Sequence, residues 1–368
     1  MRKPHDTACL TVRLGAVAAN YAFVKKHAGS AACAAVVKAD GYGLGAERLA
    51  ARLGKAGCDT FFVARLAEGV ALRPAVPTAR IFVLDGVTAA TAPALIAHRL
   101  TPVLNSLGDI TAWSDTAKGT RRAAALHIDT GMNRLGLTGE EVSILAAEAR
   151  SRLARIDLSL LMSHLACADD PGPKAAMNRA QLKRFSAALG VLPVAPASLA
   201  ASSGIFLGKE YHFDLVRPGI ALWGAAPNNS GRKNPMKTVA VLTAPVLQTH
   251  RIDKGQSVGY AATFRAKRPT MIATVALGYA DGLSRAASNR GIAAFGKARA
   301  PYAGRVSMDL ITLDVTRLAK KPRTGDAAEL LGDTITLAEV AEFSATNAYE
   351  ILTKLSPNIP RHYTDGGT

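Results

Sequence analysis

The chain has 368 residues, 49% of them hydrophobic, a mean hydropathy of +0.12, and 45 Lys and Arg against 28 Asp and Glu. That is enough apolar material for two domains, or for one barrel with an appendage. The formal charge of +17 and a pI near 10.0 raise nucleic acid as a partner, but the basic residues are dispersed, with "KGTRR" at 118–122 the nearest thing to a cluster, which predicts a solvated basic surface that attracts anionic ligands.

No apolar run is long enough to span a membrane. The basic start "MRKPHDTACLTVRLG" lacks the apolar stretch of a signal peptide. Cys9, Cys33, Cys58 and Cys167 are scattered without a C-x-x-C pair, which fits a reduced, cytoplasmic protein.

In chain order, β-like runs fall at Cys33–Lys38, Thr60–Ala64, Arg80–Asp85, Thr101–Asn105, Ala123–Asp129, Leu158–His164, Pro196–Ser202 and Leu215–Gly224. Helical periodicity separates most of them, as in "GAERLAARLGKAG", "TGEEVSILAAEARSRL" and "KAAMNRAQLKRFSAALG". Thr138 and Glu141 stand at capping-box spacing before the second of these. Eight strands with interposed helices predict an α/β fold, an N-terminal (β/α)8 TIM-type barrel over residues 11–230. A doubly wound open sheet is the alternative. A Gly/Asn/Pro-rich linker follows at Ala226–Met236. Its Asn228-Asn229-Ser230 sequon carries no weight in a cytoplasmic chain. Residues 231–368 read as strands with little helix, a mostly β C-terminal domain with which the first ten or so residues are expected to pack.

Active sites of such barrels lie at the C-terminal strand ends. Here those ends carry Lys38 on the first strand, Asp129 and then Arg134 on the fifth, His164 on the sixth, Ser202 and Ser203 on the seventh, and Arg217 and Gly219 on the eighth. Each has a plain structural reading alone: a core histidine, an arginine in an ion pair, a serine cap. Together at one rim they describe a pocket. No P-loop, dinucleotide fingerprint or metal-ligand spacing occurs. A strand-end lysine suggests a Schiff base with a carbonyl compound or pyridoxal phosphate. Backbone amides near Ser203, Gly219 and Ile220, with the Tyr42 hydroxyl, could hold a phosphate.

The motifs "VVKADGYGLGA", "DTGMNRLGL", "SHLACADD…MNRAQLKRF", "FDLVRPGIALWG", "SVGYAATF", "ATVALGYADGLSR" and "AGRVSMDL" follow one another almost end to end. In them the sequence resembles the alanine racemases, pyridoxal-phosphate enzymes built from a barrel and a β domain. The resemblance implies that Lys38 carries the cofactor as an aldimine and is one catalytic base. It makes Tyr260 of the partner subunit the second base, on the opposite face, so that an obligate head-to-tail homodimer is expected. It puts Tyr42, Ser203, Gly219, Ile220 and Tyr279 around the phosphate, Arg217 against the pyridine nitrogen, and His164 between Arg217 and Tyr260. Arg134 and the backbone at Met308 would hold the substrate carboxylate, with Asp309 and Arg285 supporting. The implied product is D-alanine for peptidoglycan.

Racemisation removes the α-proton from one face and returns one to the other, so a base on each face serves both directions. Lysine and tyrosine both titrate near roughly 10, and neighbouring cations would lower both. An arginine beside the pyridine nitrogen would keep it unprotonated and limit transamination. Two positions depart from the family pattern: His127 stands where many relatives carry a lysine, often carbamylated, and Pro357 where many carry a tyrosine. Other readings are a racemase of another amino acid, a decarboxylase on a related scaffold, a pyridoxal-phosphate homeostasis protein, and a nucleic-acid binder. "SVGYAATF" argues against the decarboxylase, and the long β segment against the homeostasis protein.

Overall fold

The computed structural model describes residues 7–117, 119–228 and 233–365. Lys118 and residues 229–232, which include part of the expected linker and of the sequon, lie outside the described residues. A parallel ladder runs through Ala35–Val36, Thr60–Val63, Arg80–Val83, Thr101–Leu104, Arg122–His127, Ile156–Met162 and Ala197–Ser198. Leu215–Val216 pairs in parallel with Ala32–Cys33, and Val36 N–H continues this edge by donating to Pro218 C=O at 2.9 Å. An Ala201–Arg217 bridge joins the seventh and eighth strands. The sheet therefore closes on itself as the barrel. The last two strands are much shorter than the sequence suggests. After Pro218 the chain leaves the ladder, and Ile220–Trp223 winds into a 3₁₀ turn instead of extending the strand.

Helices Ala46–Lys55, Leu66–Leu72, Ala92–Ala97, Leu107–Ser114, Gly139–Arg152 and Ala175–Val191 follow the first six strands. The Thr138–Glu141 capping box forms as expected, with Glu141 N–H to Thr138 Oγ1 at 3.2 Å and Thr138 N–H to Glu141 Oε2 at 3.0 Å. Helix Leu14–Ala28 packs against the Ile220–Trp223 turn and fills the last gap in the outer ring.

The second unit is a mostly antiparallel sheet around the long strand Ala240–Ile252, which pairs with Thr270–Val275, Ala327–Leu331 and Cys9–Arg13. Cys9–Arg13 also runs parallel to Arg361–Thr364, so the first described strand belongs to this sheet rather than to the barrel. Two short helices, Leu337–Phe343 and Ala348–Thr353, interrupt the β pattern. The second of them reaches the barrel mouth.

Candidate active site

Alternate side chains of a strand face the same side. Ala34, Phe62, Phe82, Val103, Ala125, Met162 and Leu215 plug the barrel interior, with Phe62 and Phe82 stacked at 4.7 Å. Two residues further along the same strands stand Val36, Asn105, His127, His164 and Arg217, and two beyond Val36 stands Lys38. Strand parity thus lifts a polar layer directly above the apolar plug. A pocket of about 520 Å³ opens there, lined by Lys38, Tyr42, His127, Arg134, His164, Ser203, Arg217, Gly219 and Ile220 among others. A larger groove, about 760 Å³, lies between helices Gly139–Arg152 and Ala175–Val191, but it gathers no comparable set of polar groups.

Lys38 leads into an unusual backbone. Ala39, Asp40, Gly41 and Tyr42 all have φ between 51° and 62°, one left-handed turn. Each non-glycine residue in that region costs roughly 1–2 kcal/mol. The turn is held by side chains placed for it. Glu68 accepts from Ala39 N–H at 2.7 Å with one oxygen, and from Ala64 and Arg65 N–H with the other. Asp40 Oδ1 accepts from Ala46 N–H at 2.8 Å. The turn delivers Tyr42, 5% exposed, to the pocket floor between Trp223 and Tyr349. Its hydroxyl lies so close to Gly219 that a Cβ there would sit 2.4 Å away, which is why position 219 needs glycine.

On the fifth strand's exit, Asp129 Oδ1 accepts from Gly131, Met132 and Asn133 N–H. That closes the loop that carries Arg134 over the pocket. Ser202 Oγ accepts from Gly219 and Ala221 N–H, tying the seventh strand end to the eighth.

Arg217 is buried and donates to Ser198 Oγ at 2.5 Å and to Ser163 C=O at 2.6 Å, with its guanidinium over the Phe62 ring. The sequence reading places His164 against Arg217. Here the guanidinium spends its hydrogen bonds on the strand ends instead, and no hydrogen bond to the His164 ring occurs among the described residues. Burial lowers Arg217 to about 10, so it remains a cation at neutral pH. Burial, then Arg217 and Arg134, push His164 down to about 3, so its ring is neutral. Burial and Arg134 also lower Lys38, against the opposing pull of Glu68 and Asp85. Burial raises Tyr42, which stays a phenol and a donor.

The lining holds three strong cations, Lys38, Arg134 and Arg217, against one carboxylate, Asp169. Such a donor set suits an anionic ligand. A primary amine of lowered pKa, a phenol donor, a glycine that lets backbone approach, and two short turns beginning at Gly204 and Ile220 fit a phosphate-bearing aldehyde.

Tyr260, Tyr279, Met308, Asp309 and Arg285 do not line this pocket. They gather on loops of the second unit. Tyr279 N–H donates to Ser307 C=O and Ala280 N–H to Met308 C=O, both at 3.0 Å. Ser288 Oγ joins Arg285 C=O to Val306 N–H, and Asn289 ties Gly304 N–H to Thr263 Oγ1. Tyr260 is 69% exposed, Met308 54% and Tyr279 42%. The expected place of Tyr279 beside the phosphate is thus not met within one chain.

Four residues near the site escape the sequence reading. Tyr349 and Asn347 line the pocket from the second unit's last helix. Pro357 lies outside the lining, its C=O accepting from Arg361, so Tyr349 is the tyrosine this end of the chain contributes. Asn105 holds His127, and Glu68 holds the left-handed turn. Only Asn105 had a usable signal, its strand parity.

Residues 12–227 match the family "Alanine racemase, N-terminal domain", and residues 239–363 match "Alanine racemase, C-terminal domain". The chain belongs to the alanine racemase family. It is 47% identical to a catabolic alanine racemase of Mesorhizobium japonicum, over 98% of this chain and 94% of the relative. An alanine racemase of Methylobacterium nodulans is 44% identical, over 98% and 97%. Among solved structures, an alanine racemase of Bartonella henselae with covalently bound pyridoxal phosphate superposes with a TM-score of 0.92 at 38% identity, over 97% of this chain and 99% of that one. The biosynthetic alanine racemase of Pseudomonas aeruginosa gives 0.91 at 34%, over 98% and 100%. Membership makes the chain a pyridoxal-phosphate-dependent amino-acid racemase, and the pocket chemistry agrees with that cofactor. Among the described residues, no helix is long and apolar enough to cross a membrane.

Proposed function

We propose that this chain interconverts L- and D-alanine with two bases, Lys38 on one face of the substrate and Tyr260 of the partner subunit on the other. The observation that carries the reading is a division. Lys38 stands in a walled pocket with Tyr42, Arg134, His164 and Arg217, while Tyr260 and Met308 project from loops outside it. A second copy that docks those loops over the pocket mouth would complete each site, as a two-fold dimer permits.

Pyridoxal phosphate, when bound through Lys38, supplies a conjugated ring that spreads the electron pair left on Cα. The rest falls to the chain. Burial and the Arg134 charge lower Lys38, which favours its neutral amine as a proton acceptor at Nζ. Tyr260 Oη of the partner subunit would deliver or accept the proton on the other face. Tyr42 Oη, Ser203 Oγ and the Ile220 amide would hold the phosphate beside Gly219, whose own N–H donates to Ser202 Oγ, with Tyr279 of the partner subunit closing over it. Arg217, still cationic at neutral pH, would face the ring nitrogen and disfavour its protonation. Arg134, with the backbone of Met308 of the partner subunit, would orient the carboxylate, while Asp309 and Arg285 support those loops. Such a site excludes water once the mouth is covered. The D-alanine formed would serve peptidoglycan, in the cytoplasm.

The test is racemisation by the purified, cofactor-loaded protein across a panel of L-amino acids, read by chiral chromatography. Dominant turnover of alanine is expected. Equal turnover of serine, lysine or arginine would replace the substrate assignment, and no racemisation would overturn the reaction.

A further inference from the structure

One wall of the pocket has no part in the mechanism above. Asn105 follows the fourth barrel strand and His127 ends the fifth. The parallel register pairs Val103 with Ala125 and Leu104 with Leu126. Asn105 and His127 are therefore the next cross-strand neighbours, and parity with Val103 and Ala125 turns both into the barrel.

The Asn105 carboxamide is fully committed. Its Nδ2 donates to Leu84 C=O at 3.0 Å and to Val103 C=O at 3.1 Å. Two carbonyls at one end require the NH₂ there, so Oδ1 must be the end that faces His127 Nδ1, at 2.9 Å. An amide oxygen can only accept, so Nδ1 carries the hydrogen. Burial, then Arg217, with Arg134 adding and Asp129 opposing, holds the imidazole at about 4. The ring is thus neutral at neutral pH, and Nε2 keeps a free lone pair.

His127 and Arg134 line the same pocket. Among the described residues, Arg134 makes no ion pair and no hydrogen bond. A guanidinium has five N–H donors, and a carboxylate takes two of them in a fork. A neutral acceptor beside it can take another without adding negative charge to compete with the carboxylate.

We propose that His127 is a positioning residue: Asn105 fixes its Nδ1–H tautomer, and its Nε2 accepts a hydrogen bond from Arg134 when that arginine grips the substrate carboxylate. The inference deepens the proposed site and rests on the assignment of Arg134 to the carboxylate. His127 touches no reacting atom. It acts through the arginine, and Asn105 acts through it.

Two measurements on the cofactor-loaded enzyme test this. The first is ¹⁵N NMR of histidine-labelled wild-type protein, with the His127 signals assigned by their loss in His127→Gln. The expected spectrum shows Nδ1 protonated and Nε2 bare from about pH 6 to about 8. A protonated Nε2, or an imidazolium, in that range overturns the inference, and this result does not depend on any variant remaining active. The second is steady-state kinetics of His127→Leu, His127→Gln, Asn105→Leu and Arg134→Leu. His127→Leu should raise KM for L-alanine about tenfold with a smaller change in kcat, the signature of lost ground-state binding. His127→Gln, which can place a carbonyl oxygen near the position of Nε2, should recover most of that loss, and Asn105→Leu should reproduce part of it. If Arg134→Leu raises KM while His127→Leu does not, the inference fails and the carboxylate assignment stands. If Arg134→Leu leaves KM unchanged, the carboxylate assignment fails and takes this inference with it.

Discussion

The barrel mouth and the loop face of the second unit carry similar kinds of residue in opposite states. At the mouth, Arg217 is 3% exposed and Tyr42 5%, each locked by neighbours the strands provide. On the loop face, Tyr260 is 69% exposed, with Met308, Leu310 and Tyr279 exposed around it. The backbone beneath that face is no less organised, since its loops are laced together by Asn289, Ser288 and the Tyr279–Ser307 contact. One region is a finished cavity wall. The other is a surface of hydrogen-bonded loops whose side chains face solvent. Covering large apolar side chains yields roughly 1.5–3 kcal/mol each, so the proposed dimer would gain by covering the second surface.

The contrast can be broken in several ways. Lys38→Ala and Tyr260→Phe should each lower kcat by roughly 10²–10⁴, despite their difference in burial. Full activity in Tyr260→Phe would make the exposed face irrelevant to the chemistry. Stability should respond in the opposite manner. Phe62→Ala removes the ring beneath Arg217 and should cost about 3–5 kcal/mol in urea unfolding. Tyr260→Ala, on the exposed face, should change the stability of the monomer by about 0.5 kcal/mol or less.

Acid should act through the mouth as well. Unfolded, His164 and His127 bind protons below 6.5, whereas in the fold they do so only near 3 and 4. The folded values are depressed, so the stability held in keeping these rings neutral is complete above pH 6.5. It drains as the pH falls from 6.5 towards 4, by about 1.4 kcal/mol per pH unit for each ring. Urea midpoints measured at several pH values should show this slope, and His164→Gln should roughly halve it. A modest effect is expected of Glu68→Gln, which replaces an acceptor of the left-handed turn by a donor. It should cost about 1 kcal/mol, and it should weaken retention of pyridoxal phosphate during dialysis if the turn positions Lys38 and Tyr42.

The same contrast explains what the sequence discloses. Strand-end residues such as Lys38, His164 and Arg217 are legible because a strand's two-residue period and the barrel's closure bring them to one mouth. Asn105 obeys that rule too and was open to the same reading. The left-handed turn is not legible from propensity, because Ala39 and Tyr42 disfavour it and distant Glu68, with Asp40 inside the turn, holds it. The last two strands shrink to two residues each, Ala197–Ser198 and Leu215–Val216, and short 3₁₀ turns follow them at Gly204–Phe206 and Ile220–Trp223, the second where the sequence reads as continuous strand. Tyr349 arrives from a helix more than three hundred residues after Lys38, which no local pattern reveals. The exposed set, from Tyr260 to Met308, has no periodic signal and is visible only through motif resemblance.

The measurement that bears most directly on the divided site is a mixing experiment. Lys38→Ala and Tyr260→Phe proteins, each nearly inactive, are unfolded together, refolded with pyridoxal phosphate and assayed for alanine racemisation. If each pocket draws its second base from the other copy, every mixed dimer contains one intact site. Random mixing then restores about a quarter of the wild-type activity. If both bases come from one chain, no mixed dimer holds an intact site, and activity that stays at the level of the separate variants would contradict the account.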